Sequence, residues 1–359
     1  MHVIKTKESK IFIGNDVLDE VKKTLEKYKD HQKILIVDEN SFNYCATDFL
    51  IQTELANDVE IIELDSGEEN KTLEICQYIW QTFVELKIDR NALVINLGGG
   101  VICDLGGFVA SVYKRGINFI NVPTTLLSQI DASVGGKVGV DLNNLKNILG
   151  VFNEAEAVFI YPNFLRTLNK REMLAGYSEA LKHALIADVD YWKRLKTNLL
   201  SNDLLWEQLI LKSVEIKNDI VKRDLKESGE RKKLNFGHTI GHALESYSLS
   251  NEELPLLHGE AVAVGLVCEA YISHKVNGLN HKEFKDIVSA VTSFFNYYDL
   301  KEDSFQLLIG LMKNDKKNKN RAINFTLLKA IGEATVDHKV GEDLILEALN
   351  YYCSLKKVD

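Results

Sequence analysis

Along the first 160 residues, short apolar runs alternate with longer stretches whose apolar positions recur at helical spacing. After β-like segments at Val3-Ile4 and 11–14, a helix-like stretch covers 16–28. Residues 33–37 read as a buried strand, ended by Asp38-Glu39-Asn40. Further apolar runs at 59–64, 92–97, 118–122 and 157–160 alternate with helix-like stretches at 42–55 and 72–86. This is the spacing of βαβ units, so the pattern predicts a parallel sheet with helices on both faces. From about Pro162 onward the periodicity is helical, broken only by a β-like patch at 323–328. The chain is thus expected to hold a Rossmann-like α/β domain over 1–165 and an all-α domain over 166–359.

Two glycine-rich stretches interrupt the first half. The strand at 92–97 runs into Gly98-Gly99-Gly100-Val101-Ile102-Cys103-Asp104. Glycines between a strand end and a helix start let backbone N–H groups approach a pyrophosphate. Gly98 and Gly100 fit a dinucleotide fingerprint, but Cys103 stands in the third glycine's place, and a tight turn explains the stretch equally well. Glu68 and Lys71, after the preceding strand, have the reach for a ribose and a phosphate, though singly each reads as a surface charge. Pro123-Thr124-Thr125 offers two hydroxyls. Asp131-Ala132-Ser133-Val134-Gly135-Gly136-Lys137 places a glycine-flanked lysine in an expected loop, followed by Lys146 and Asn147. A lysine so placed can bind phosphate as a point charge. The spacing is not that of a Walker loop.

In the helical half, Met173, Tyr177, Ala180 and Ala184 form one apolar stripe, with Glu179, Lys182 and His183 on the other side. Such a face is ordinarily solvated; it gains meaning only if it meets other ligands. In the helix at about 209–225, Ile210, Val214, Val221 and Leu225 define a buried stripe, and Lys217 falls in its middle. That lysine must snorkel, pair with an acid or enter a polar cavity, and the cavity is the expected destination. Arg231 and Asn235 lead to His238, His242 and Glu245, which share a helix face, and His258 follows after the Pro255 turn. Two His and a carboxylate with an open position suit zinc. The spacing leaves Glu179, His183, His242 and Glu245 as competing partners of His238 and His258.

Composition narrows the options. A net charge of −9 argues against general nucleic-acid binding, and no apolar run is long enough for a membrane span. The N-terminus lacks a secretory core, and the five cysteines are scattered, as expected of thiols in the reducing cytoplasm. Clustered cations in an acidic chain suit a small anionic substrate. Together these features point to a metal-dependent, NAD-using enzyme acting on an anionic polyol.

The motifs Gly98-Gly99-Gly100-Val101-Ile102-Cys103-Asp104, Pro123-Thr124-Thr125, Asp131 to Lys137, Ser178-Glu179-Ala180-Leu181-Lys182, Asn235 to His242, His258-Gly259-Glu260 and Asp315-Lys316-Lys317 stand in the order of the 3-dehydroquinate synthase family. The chain resembles that family over nearly its whole length. The resemblance implies the family's fold: an NAD-binding α/β domain, a helical domain and an active site in the cleft between them. It implies zinc, with cobalt as an alternative, on Glu179, His238 and His258. It implies NAD contacts at Asp38, Glu68, Lys71, Gly99, Gly100, Val101, Asp104, Thr124, Thr125 and Thr167. Arg115, Lys137, Lys182 and His242 are implied as catalytic, and Lys146, Asn147, Lys217, Arg231, Asn235 and Lys316 as substrate-binding. His183 and Glu245 then drop out of the ligand set. The implied substrate is a sugar-acid phosphate, 3-deoxy-D-arabino-heptulosonate 7-phosphate, and the implied assembly a homodimer.

One departure stands out. Where the family has an Asp-Glu-Arg-Glu run, this chain has Asp224-Leu225-Lys226-Glu227, so a partner of the missing arginine is expected to be lost. Two other enzyme readings share the same ingredients: a different sugar-phosphate cyclase, and a glycerol-dehydrogenase-like oxidoreductase that would accumulate NADH.

Overall fold

The computed structural model describes residues 1–142, 145–197, 200, 202–314 and 323–356. These form two compact units, one of residues 1–173 with 203–218, the other of residues 174–202 with 219–359.

The first unit is built on a seven-stranded sheet. Its strands are β1 (His2–Lys5), β2 (Lys10–Ile13), β3 (Lys33–Asp38), β4 (Glu60–Leu64), β5 (Leu93–Gly98), β6 (Asn118–Pro123) and β9 (Ala157–Ile160), in the order β1-β2-β9-β6-β5-β3-β4. All neighbours run parallel except β1, which pairs antiparallel with β2 at the edge. The expected parallel sheet thus carries one antiparallel strand at its edge. Every residue of β5 is buried, as a strand covered on both faces requires. The covering helices in chain order are α1 (Val17–Leu25), α2 (Glu39–Ser41), α3 (Thr47–Thr53), α4 (Leu73–Glu85) and α5 (Gly100–Val112). The first of two helix-like stretches predicted after β3 begins early. Asp38 caps it, accepting from Ser41 N at 2.7 Å while Ser41 Oγ accepts from Asp38 N at 2.9 Å.

Of the stretch expected as a phosphate-binding loop, residues 133–136 are a turn with Gly135 and Gly136 at positive φ, but from Lys137 onward it is a hairpin, β7 (Lys137–Leu142) with β8 (Leu145–Phe152). Glycine density suggested a loop. In the hairpin Gly139 faces Gly150, and a Cβ on Gly139 would meet Leu149 O at 2.4 Å. Such glycines mark close backbone approach within strands. Lys137 is accordingly the exposed first residue of a strand.

The second unit takes the later part of α6 (Lys170–Ala187), then α7 (Val189–Leu195) and the end of α8 (Trp206–Arg223). It continues with α9 (His238–Asn251), α10 (His258–Val276), α11 (His281–Phe294), α12 (Phe305–Asn314) and α13 (Glu342–Cys353). The single β-like patch expected at 323–328 has a partner that the helical reading missed. β10 (Asn324–Ala330) pairs antiparallel with β11 (Glu333–Lys339), since a lone strand leaves its backbone groups unpaired. Among the described residues, no helix is long and apolar enough to cross a membrane.

Helix α5 lies so close to the sheet that a Cβ on Gly106 would fall 2.0 Å from Asn96 Oδ1, whose amide donates to Asn121 Oδ1 at 2.9 Å. Gly106→Ala is expected to cost about 1–3 kcal/mol by overpacking this contact. Urea unfolding of the variant beside the parent checks it; an unchanged midpoint would refute the packing argument.

Candidate functional site

Helices α6, α9 and α10 meet where they carry glycine. A Cβ on Gly265 would sit 1.9 Å from Gly237 O, one on Gly241 would meet Val262 Cα at 3.2 Å, and one on Gly259 would sit 1.9 Å from Ala175 O. Gly237, with φ of +81°, also turns the chain into α9 through the left-handed region. These close approaches let side chains from three helices converge.

They bring Glu179, His238 and His258 together. His238 Nε2 lies 3.4 Å and His258 Nε2 3.5 Å from Glu179 Oε1. His238 Nδ1 donates to Phe236 O at 3.1 Å, because a carbonyl can only accept. His258 Nδ1 is held by Glu245 Oε2 at 3.0 Å. Each Nδ1 is thus spent on the protein, and each Nε2 faces the same carboxylate oxygen. Burial and the Lys182 charge push His238 down to about 3, so its ring is neutral near pH 7. For His258 burial works downward, but Glu245 and Glu179 outweigh it and hold it up at about 10. Two basic nitrogens and a carboxylate at this spacing fit a divalent cation with His and Glu ligands. His242 is half-buried beside them, its ring centroid 5.1 Å from that of His238 and 5.7 Å from that of His258. One side-chain nitrogen from each of the three histidines lies within 4.8 Å of the others.

The face of α6 with Glu179, Lys182 and His183 is buried, not solvated, and Lys182 Nζ pairs with Glu179 Oε2. Glu245, dropped by the family reading as a ligand, holds His258 instead. Its position on the His238 face of α9 was visible in the sequence; the partner it would meet was not.

In the first unit the strand order reverses between β3 and β5, which opens a crevice at their carboxyl ends. Asp38 ends β3, and Gly99 and Gly100 start α5 directly after β5. Glycine at the cap has no side chain to cover the first-turn amides, which leaves them for an anion. Val101 and Asp104 lie on the first turns of α5, and Thr124 follows β6, its N–H bonded to Gly98 O at 2.9 Å. Thr125 is already engaged, since its hydroxyl donates to Ser128 Oγ at 2.9 Å. Thr167 lies beside Cys45, on the segment that follows Asp38. Lys71 is not the surface charge expected: it is buried, with Nζ 2.6 Å from Asp104 Oδ2. Burial lowers its pKa, but Asp104, Glu68 and Asp141 raise it further, above the ordinary lysine value. Glu68 accepts from Lys146 Nζ at 2.8 Å, and Asp141 Oδ1 accepts from Asn147 N at 2.6 Å. Glu68, Lys71 and Asp104 of the expected NAD set and Asp141 and Lys146 of the hairpin therefore form one ionic network.

Lys217 pairs with an acid. Its Nζ donates to Asp131 O at 2.6 Å and lies 3.0 Å from Asp131 Oδ1. Arg231 is buried, and its Nη1 donates to Leu225 O at 2.8 Å. Asn235 Nδ2 donates to Glu227 Oε1 at 2.8 Å. Arg115 is exposed on the turn leaving α5, at the opposite end of that helix from Gly100. Lys316 lies outside the described residues.

With this geometry in view, the comparisons are specific. The family model for the 3-dehydroquinate synthase N-terminal part matches residues 61–175, and that for its C-terminal part matches residues 176–318. A 3-dehydroquinate synthase of Parabacteroides distasonis is 38% identical over 348 residues, covering 96% of this chain and 98% of the relative. Two solved structures share the fold. One is a 2-deoxy-scyllo-inosose synthase complexed with carbaglucose-6-phosphate, NAD+ and Co2+, with TM-score 0.87, 24% identity and coverage of 98% and 100%. The other is a 2-epi-5-epi-valiolone synthase from Streptomyces hygroscopicus with NAD+ and Zn2+, with TM-score 0.84, 23% identity and coverage of 99% and 99%. The fold is thus that of an enzyme pairing a parallel-sheet α/β unit with a largely helical one. The chain belongs to the 3-dehydroquinate synthase family, whose lyase activity serves the shikimate pathway.

The turn carrying Arg231 and Asn235 is organised by Asp224, despite the departure beside it. Its carboxylate accepts from Ser228 N at 2.9 Å, Gly229 N at 2.7 Å and Arg231 N at 3.0 Å. Burial works upward, but these bonds outweigh it and hold Asp224 down at about 2. A depressed carboxylate stabilises the fold above its ordinary pKa, near 4, and loses that contribution as pH falls through about 2. Asp224→Asn is expected to cost about 1 kcal/mol at neutral pH, a value reduced by water screening of the half-exposed group. Its stability should fall less steeply than the parent's below about pH 4. Denaturant midpoints across that range check this; parallel curves would remove Asp224 from the account.

Proposed function

We propose that the cluster of Glu179, His238 and His258 is where this chain carries out its family's reaction. That reaction converts 3-deoxy-D-arabino-heptulosonate 7-phosphate to 3-dehydroquinate and phosphate. The observation that carries the assignment is the convergence of two Nε2 atoms on Glu179 Oε1, at 3.4 and 3.5 Å, with both Nδ1 atoms held by the protein.

Glu179, His238 and His258 hold the cation, zinc or cobalt, and the crevice at Asp38, Gly99, Gly100, Val101, Asp104, Thr124, Thr125 and Thr167 holds NAD, with Glu68 and Lys71 beside it. When bound, the metal would polarise the oxygen at C5, and NAD would supply the reversible hydride acceptor there. Oxidation at C5 acidifies the neighbouring C–H, so phosphate can leave. Re-reduction, ring opening and aldol closure follow without net redox change. His242 stands beside the ligands, placed to move a proton at the reacting hydroxyl. Lys182 steadies the Glu179 carboxylate and presents positive charge to the substrate. Lys137, Lys146, Asn147, Lys217, Arg231 and Asn235, with Arg115 and Lys316, serve its carboxylate and phosphate. Lys146 and Lys217 have acid partners in this structure, so substrate must compete with Glu68, Asp141 and Asp131 for them. The reading includes a homodimer in the cytoplasm. Its buried free cysteines suit a reducing compartment.

The purified protein should release phosphate from the heptulosonate phosphate with catalytic NAD. Chelator should stop it, and zinc or cobalt should restore it. Stoichiometric NADH build-up would favour the oxidoreductase reading. Turnover of sedoheptulose 7-phosphate in place of the heptulosonate would favour another cyclase. His258→Ala should lose metal and activity while keeping its circular dichroism; full metal content would remove His258 from the ligand set.

A further inference from the structure

The two helices that carry the histidines also carry two buried carboxylates, Glu245 on α9 and Glu269 on α10. Neither is needed as a ligand. Glu245 lies two turns along α9 from His238, and reaches across to His258 Nδ1 at 3.0 Å. Glu269 lies three turns along α10 from His258 and reaches back across to the start of α9. It accepts from Gly237 N at 2.7 Å, Thr239 N at 2.9 Å and Ile240 N at 3.1 Å. These amides flank His238. An N-cap side chain would normally serve such amides, but Gly237 has none to offer.

We infer that Glu245 and Glu269 are positioning residues of the metal centre, each helix supplying a carboxylate that holds the other helix's histidine. The two arms act on different atoms. Glu245 fixes the ring of His258, directing its Nε2 lone pair inward and raising its basicity as a ligand. Glu269 fixes the backbone under His238, whose ring is then set by Phe236 O. Burying the Glu269 carboxylate completely is costly without partners. The three amide donors explain why a glutamate is tolerated there. The arrangement ties α9 to α10 at both histidines, so neither ligand moves alone.

This inference rests on the metal-centre reading, and the test separates the two. Apo protein is titrated with Co2+ against a competing chelator, following affinity and the visible Co2+ absorption, and the melting temperature of each apo variant is recorded. Glu245→Ala is expected to lose about 10–100-fold in Co2+ affinity, with an altered spectrum and little change in apo melting. Glu245→Gln should fall between, because its amide oxygen still accepts from Nδ1 but carries no charge. Glu269→Gln should lower both apo melting and Co2+ affinity, since one amide oxygen cannot serve three donors well. Glu269→Asp, a shorter arm with the charge kept, replaces it if the amide variant does not fold. Glu245→Ala with parental affinity and spectrum would overturn the inference. So would a folded Glu269 variant with lower melting but unchanged Co2+ binding, which would make that residue a helix cap alone. If the parent binds no Co2+, or His258→Ala binds it as the parent does, the metal-centre reading itself fails and the inference falls with it.

Discussion

The site of the second unit depends on how closely its helices cross. At Gly265 and Gly259 there is no room for even one carbon beyond the backbone. At ordinary helix crossings, about 8–10 Å between axes, side chains stand between the two backbones. Removing Cβ at the crossings lets α6, α9 and α10 approach until Glu179, His238 and His258 share one small volume. The cost is that backbone packs on backbone, and any enlargement there displaces a helix as a body together with the histidine or glutamate it carries.

Charge management follows from that closeness. Glu179 faces two histidines on one oxygen and Lys182 on the other, while Glu245 sits behind His258. The opposite displacements of the two histidines arise from this asymmetry. Burial lowers both; for His238 the lysine charge adds to it and the ring is neutral, whereas for His258 two carboxylates outweigh it and the ring is readily charged. The first unit uses a similar principle. Lys71 is buried with Asp104, Glu68 and Asp141 around it, and Glu68 and Asp141 also tether Lys146 of the hairpin. Buried cations tied to several acids are costly to leave unpaired, which gives both networks a defined geometry.

The sequence made the layers of the first unit legible because its period changed from strand to helix at each junction. Its glycines were harder. At Gly99 and Gly100 they mark a strand-to-helix turn, as expected, but at Gly139 and Gly150 they mark two strands pressed together. Local composition cannot separate the two cases, because the neighbour that demands the missing side chain is remote in sequence. Lys217 carries the same lesson. A lysine in a buried stripe announced a special environment, and its partner, Asp131, is 86 residues away.

By itself the sequence determined the alternation of elements and the position of the glycine turn at the end of β5, and it singled out the histidines that cluster in the second unit. Its motif order also identified the family. These are properties of residue type and spacing along one element. Only the tertiary structure decided that Glu179 and Lys182 are buried, that Glu245 holds His258, and that Glu269 caps the helix of His238. Helical periodicity reports which residues share a face, but not what that face meets. A glutamate on a helix is the same letter whether water or a histidine stands opposite it.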